Sequence, residues 1–193
     1  MEARKLDNVS IAEYIAIEQA EDSRYEYHDG KIFAMAGGTV EHGLISGNVY
    51  GEIKFALRNN KSNCTVLNSE VKLHIAASNK FVYPDVMVVC DELERSSIEE
   101  NAIVNPVVII EVLSKSTESY DRGDKFFAYR QIPTLKEYIL IDQYQAQVDI
   151  YERQADLWKI TRKDQPSDHI KINALGITIS MANIYEQIKF APQ

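Results

Sequence analysis

Asp85 and Glu111 are each the lone charge in an apolar, strand-like run: Phe81-Val82-Tyr83-Pro84-Asp85-Val86-Met87-Val88-Val89 and Pro106-Val107-Val108-Ile109-Ile110-Glu111-Val112-Leu113. An ionised carboxylate buried without a partner costs several kcal/mol, so two of them in core strands call for a compensating cation. The simplest is a divalent metal held by hard oxygen ligands. Such an ion, held by carboxylates with open positions, makes a water nucleophilic and neutralises a charged transition state, the two needs of phosphodiester hydrolysis. A nearby ammonium group orients the attacking water and offsets negative charge. Two lysines could supply it: Lys115, of the same strand parity as Glu111 if the strand runs that far, and Lys125 in Asp121-Arg122-Gly123-Asp124-Lys125. Glu26 and Glu70 are further acids on polar faces, and His42 is a possible accessory group.

These residues must be carried by elements legible in the sequence. Ser10, followed by Glu13, forms a capping box opening a helix over residues 10–20. Asp29-Gly30 is a strong hairpin signal within residues 25–36. Ile45, Val49, Ile53, Ala56 and Leu57 follow the helical period over residues 40–59, and His42, three residues before Ile45, shares their face. Alternation over residues 65–76 predicts a strand with Val71, Leu73 and Ile75 on one face and Glu70, Lys72 and His74 on the other. Strands are predicted at 81–90, 107–113, 137–142, 146–153 and 157–163, with a polar loop over 91–105. A helix is predicted over residues 119–132, closed by Pro133, then a last strand at 175–179 and a short helix at 181–188. The sum is a mixed α/β (α+β) domain built on one sheet flanked by helices.

The bulk properties narrow the function. The chain has 193 residues, 45% hydrophobic, which suits one domain over residues 1–193. A net charge of −8 is the wrong sign for coating nucleic acid non-specifically, although acidic metal ligands contribute to it and a local basic groove is compatible with it. Arg58, Lys61, Lys115, Arg122, Lys125 and Arg130 are the candidates for such a groove; three of them share the helix after Glu111, where they could form one positive face. Cys64 and Cys90 lack zinc spacing and read as reduced core thiols. There is no apolar leader at the N-terminus and no membrane-length run, so a soluble cytoplasmic protein is expected. Gly37-Gly38 is too short for a phosphate loop, and no G-x-S-x-G or H-E-x-x-H occurs. His28, His74 and His169 read as surface or turn residues.

With Pro84-Asp85 followed by Glu111-Val112-Leu113-Ser114, the chain resembles a variant of the PD-(D/E)xK nuclease pattern. Tyr25-Glu26-Tyr27-His28-Asp29-Gly30, Met35, His42, Tyr83-Pro84-Asp85-Val86, Ser116-Thr117, Asp121, Lys125, Tyr129, Glu137-Tyr138 and Asp142 extend this over residues 10–188. The ordered set resembles the Uma2 family (DUF820) of restriction-endonuclease-like proteins. The resemblance implies a restriction-endonuclease-like fold and Mg²⁺- or Mn²⁺-dependent cleavage of DNA. It also implies Asp85 and Glu111 as metal ligands, with the backbone carbonyl of Val112 as a third. The position two after Glu111, where the simplest pattern has lysine, holds Leu113. The resemblance moves the lysine to the following helix, as Lys125, ahead of the alternative Lys115.

Each residue also has an ordinary structural explanation: a turn role for Asp85, an ion pair of Glu111 with Arg122 or Arg130, and a Lys125–Asp121 pair. Two competing functions follow. One is a catalytically silent binding or assembly module on the nuclease fold; the other is a metal hydrolase of non-nucleic-acid phosphodiesters. A homodimer is the simplest geometry for cutting both strands of a duplex, with an edge strand within residues 137–163 as a possible interface.

Overall fold

The computed structural model describes residues 6–35 and 37–190; Ala36, in the expected hairpin, lies outside them. Helix α1 (Ile11–Glu21) opens on the expected capping box: Ser10 Oγ accepts from the Glu13 N–H at 3.2 Å and the Glu13 carboxylate accepts from the Ser10 N–H at 2.8 Å. Strands β1 (Tyr25–His28) and β2 (Lys31–Ala34) form the hairpin, with Asp29 and Gly30 both at positive φ in its turn. Helix α2 (Val40–Asn59) is capped by the Thr39 hydroxyl and buries Ile45, Val49, Ile53 and Leu57.

The two long strands expected at 65–76 and 81–90 are each divided. The first becomes β3 (Cys64–Asn68) and β4 (Lys72–Ile75), separated by a turn at Ser69 and Glu70. The second becomes β5 (Lys80–Val82) and β6 (Val86–Cys90), broken at Tyr83-Pro84-Asp85. Proline has no N–H to donate to a ladder, so pairing stops there. The chain then passes from a five-stranded sheet into a six-stranded one. The first has the order β2-β1-β5-β4-β7, with β7 at Ala102–Ile103 inside the expected loop. The second has the order β11-β10-β9-β8-β6-β3, from β8 (Val108–Leu113), β9 (Glu137–Asp142), β10 (Val148–Gln154) and β11 (Leu157–Lys163). A two-stranded ribbon pairs β12 (His169–Ile172), which the sequence pattern missed, with β13 (Ile177–Ser180). Instead of one sheet the fold has two large sheets and this ribbon, in a mixed α+β arrangement flanked by helices.

Strand β8 is buried along its whole length between β6 and β9. Its even positions, Val108, Ile110 and Val112, pack in the core containing α2. Its odd positions, Ile109 and Leu113, face the opposite core with Ala128, Tyr129, Ile132 and Leu135. Glu111 has odd parity, so it points beneath the helix that follows. That helix, α3, consists of Glu118–Tyr120, a π-helical turn at Asp121–Lys125, and Phe126–Tyr129 in continuous succession. It connects β8 to β9, which pair in parallel. Parallel neighbours require such a crossover.

Several local expectations change on packing. Lys72 and His74 are buried rather than on a polar face. Lys72 pairs with Glu18 at 2.5 Å, and His74 stacks on Phe81 with its Nδ1 2.8 Å from the Ser96 hydroxyl. Cys64 and Cys90, opposite each other in the β3–β6 register, form a disulfide instead of staying reduced. Arg122 turns to Asp149 and Glu118, Arg130 lies over the Phe127 ring, and Lys125 points inward, so the three cations of α3 do not share one positive face. Among the described residues no helix is long and apolar enough to cross a membrane.

Candidate active site

The antiparallel register of β6 with β8 matches Val86 to Ile110, which sets Asp85, one residue ahead of β6, against Glu111. The Asp85 N–H approaches Glu111 Oε2 at 3.4 Å, and Asp85 Oδ2 accepts from the Val112 N–H at 2.7 Å. The two acids separated by 26 residues of sequence thus sit on adjoining strand ends. They lie in a cleft of about 550 Å³ that is also lined by Glu26, His42, Asp121 and Lys125.

Lys125 is the centre of the charge arrangement. Its Nζ lies 2.8 Å from Glu111 Oε1, 3.5 Å from Asp121 Oδ1 and 3.7 Å from Glu26 Oε1. Its side chain is 8% exposed, and those of Glu111 and Asp85 are 5% and 14% exposed. Burial pushes the Glu111 carboxyl up, to about 8, against the pull of the Lys125 ammonium. Burial acts to lower Lys125, but the carboxylates of Glu111, Glu26 and Asp121 outweigh it, and the amine is held well above its ordinary value. Burial also raises Asp121. For Glu26, burial is outweighed by Lys125 and His28, and the carboxyl is held below its ordinary value. Four carboxyl groups, Glu26, Asp85, Glu111 and Asp121, thus gather in one cleft around the Lys125 ammonium, with the His42 imidazole beside them.

The remaining candidates separate. His42, in the first turn of α2, places Nε2 3.2 Å from Asp85 Oδ2, and this carboxylate pushes the imidazole pKa up. Glu26 and His28 share one face of β1, 3.0 Å apart, and the Tyr120 hydroxyl lies 3.2 Å from the same His28 nitrogen. His28 is thus a half-buried residue of the hairpin strand β1, behind the cleft-lining Glu26 and Tyr120, rather than a surface or turn residue; His169 is exposed as expected. Strand β8 ends at Leu113, so the parity that would have aimed Lys115 at Glu111 is lost; its ammonium lies 5.1 Å from the Tyr144 ring at the cleft mouth. Glu70, in the turn that divides the expected strand, is exposed and pairs with Arg24 at 2.8 Å, outside the cleft. Leu113 is buried in the core, so a lysine there would point into apolar packing.

Tyr129 gains a role that the sequence did not assign, and Asp121, expected as an ion-pair partner of Lys125, makes that pair from inside the cleft. The Tyr129 hydroxyl donates to Glu111 Oε1 at 2.6 Å, and Asp121 is a buried fourth carboxyl. The signal was the spacing of Asp121, Lys125 and Tyr129, four residues apart on one helix face.

The donor set, carboxylates plus the Val112 carbonyl, suits a hard divalent ion. As the side chains stand, no three His, Cys, Asp or Glu groups among the described residues converge on one point. Lys125 and Tyr129 hold Glu111 Oε1, while Oε2 faces Asp85, so it is by the chemistry of the donor set that these residues fit an ion.

A strand-end pair of acids, a lysine from the crossover helix and a mixed sheet define a restriction-endonuclease-like protein. Residues 11–182 match the model of the Uma2 family, described as "Putative restriction endonuclease", and the chain belongs to that family. It is similar to "Uncharacterized protein slr1290" of Synechocystis sp., with 33% identity over 182 residues and 94% of both chains covered. It is also similar to "Uncharacterized protein sll1609" of the same organism, with 34% identity over 154 residues, covering 79% of this chain and 86% of that one. A solved structure from Anabaena variabilis, titled as a "putative nuclease belonging to DUF820", has the same fold. Its TM-score is 0.75 at 16% identity, with 94% of this chain and 99% of that chain covered.

Proposed function

We propose that this chain, acting as a single nuclease domain, is a divalent-metal-dependent endonuclease that hydrolyses DNA phosphodiester bonds, with Mg²⁺ or Mn²⁺ as cofactor. The observation that carries the reading is the convergence of Asp85, Glu111 and Lys125 at the floor of one cleft. Asp85, Glu111 and the Val112 carbonyl would hold the ion. Bound there, it would lower the pKa of a water and offset charge on the phosphoryl oxygens.

The protein groups have separable tasks. The Lys125 ammonium orients a nucleophilic water and neutralises charge that develops on the phosphate. The Tyr129 hydroxyl fixes the Glu111 carboxylate. Glu26 and Asp121 keep Lys125 charged and in place. Lys115 and Arg24, which both line the cleft, offer contacts to a phosphate backbone. Cutting both strands of a duplex would use a homodimer, with the exposed edge of β11 available for pairing.

A second reading has one specific observation in its favour. Glu111 is already satisfied by Lys125 and Tyr129, as in a silent module that keeps the fold for binding. Supercoiled plasmid with Mn²⁺ or Mg²⁺ separates the two. Nicking by the wild type that is lost in Asp85→Ala and Glu111→Ala supports the nuclease. No nicking, together with no rise of the melting temperature on adding either ion, supports the silent module. Cleavage of a small phosphodiester but of no DNA redirects the activity to another ester.

A further inference from the structure

His42 lies directly against the groups assigned above to the ion. Its Nε2 lies 3.2 Å from Asp85 Oδ2, and the ring also engages the backbone carbonyl of Val112. These are two of the three groups assigned above to the ion. Neighbouring ligands of an octahedral ion at about 2.1 Å stand about 3.0 Å apart. The separation of Nε2 from Oδ2 therefore matches one edge of such an octahedron.

The backbone that carries the ring is fixed, and the space behind the ring is small. Thr39 caps the helix by accepting from the His42 N–H at 3.1 Å, and the Thr39 hydroxyl in turn donates to Gln143 at 2.6 Å. Behind the imidazole is Gly38, where an added Cβ would come within 3.1 Å of Nδ1. Any other residue at 38 would press on the ring.

Resting on the metal-dependent reading above, we infer that His42 is a ligand of the divalent ion through Nε2, and that this nitrogen makes the site select Mn²⁺ over Mg²⁺. Imidazole nitrogen favours first-row transition ions, whereas Mg²⁺ takes oxygen donors and keeps its waters. A site of carboxylates and a carbonyl alone would not discriminate strongly between the two. The nitrogen supplies the discrimination.

The test is calorimetric titration of the full chain with MnCl₂ and with MgCl₂, for the wild type, His42→Ala, His42→Gln and Asp85→Asn. Pulsed electron paramagnetic resonance of each Mn²⁺ complex adds a signature independent of affinity, because a coordinated imidazole gives a nitrogen-14 coupling. The wild type is expected to bind Mn²⁺ at least about tenfold more tightly than Mg²⁺. His42→Ala should lose at least roughly tenfold in Mn²⁺ affinity, with a much smaller change for Mg²⁺ and no nitrogen coupling. His42→Gln keeps a polar side chain at the position, so loss of the nitrogen coupling and of the Mn²⁺ preference in that variant supports ligation even if the alanine variant folds poorly.

Mn²⁺ affinity unchanged or increased in His42→Ala, or a nitrogen coupling that persists there, would overturn the inference and make His42 a placeholder that the ion displaces. In that case loss of binding in Asp85→Asn would leave the wider reading standing. Binding by Asp85→Asn as tight as the wild type, or no binding of either ion by the wild type, would remove the metal site and the inference with it.

Discussion

Replacing Lys125 with methionine should expose how the cleft is held together before any metal enters. The ammonium is buried and serves Glu111, Asp121 and Glu26 at 2.8, 3.5 and 3.7 Å. Removing one partner of a buried pair costs about 3–5 kcal/mol, because the other charge is left uncompensated. Here the stranded carboxyls can escape part of that cost by taking up protons, so the lower end, about 3 kcal/mol, is the expected loss at pH 8. For a chain of this length each kcal/mol moves the melting temperature by about 2–4 °C, giving a fall of about 6–12 °C. Without Lys125 the folded-state pKa values of Glu111 and Asp121 rise further above their unfolded values, and Glu26 loses the main charge that holds its own down. The folded state then binds more protons than the unfolded chain, and stability is lost as pH rises through that window. The deficit of Lys125→Met should therefore shrink between pH 8 and pH 5. Adding Glu111→Gln should recover part of it, since Tyr129 can still donate to the amide oxygen. The assay is thermal melting in chelator-treated buffer at both pH values. A Lys125→Met protein melting within about 2 °C of wild type at pH 8 would refute the account of the ammonium as organiser of the site.

Further expectations follow from single contacts. Tyr129→Phe removes the 2.6 Å bond to Glu111 and should cost about 1–2 kcal/mol of stability, read by urea denaturation, with slower plasmid nicking. Buried Asp149 is bonded by Arg162 at 2.7 and 3.0 Å and by Arg122 at 2.6 Å; burial raises its pKa, but the two guanidinium groups outweigh this and hold it below the ordinary value. Its stabilisation is present above the ordinary aspartate range and is lost as pH falls through the folded value. Asp149→Asn should therefore lower the melting point at pH 7 and converge with wild type in strong acid. Ser10→Ala should cost about 1 kcal/mol through loss of the cap while leaving Mn²⁺ titration unchanged. The Cys64–Cys90 disulfide closes 26 residues of chain, worth about 3.5 kcal/mol on the chain-entropy account. Thiol titration of the denatured, unreduced protein should find no free Cys64 or Cys90, and the reductant-treated protein should melt lower.

Elements with local signals are legible in the order of residues alone: the capping box of α1, the Asp29-Gly30 hairpin, the apolar stripe of α2 and the apolar run of β8. Residue order also singled out Asp85 and Glu111, because a lone charge in an apolar run is anomalous wherever the chain goes. Tertiary structure decided what depends on which strand lies beside which. Alternation over 65–76 could not show that a turn at Ser69 and Glu70 sends its halves into different sheets, carrying Glu70 to the surface and burying Lys72 and His74. Parity along β8 could not show that the strand ends at Leu113, which leaves Lys115 at the cleft mouth and gives the place beside Glu111 to Lys125. The disulfide needed the β3–β6 register, and the contact of His42 with Asp85 needed the start of α2 to sit over the end of β8. Propensity and hydrophobic period act over a few neighbouring residues. The pairing of acids 26 residues apart, and the cations that meet them, is set by sheet register and by the path of the crossover helix.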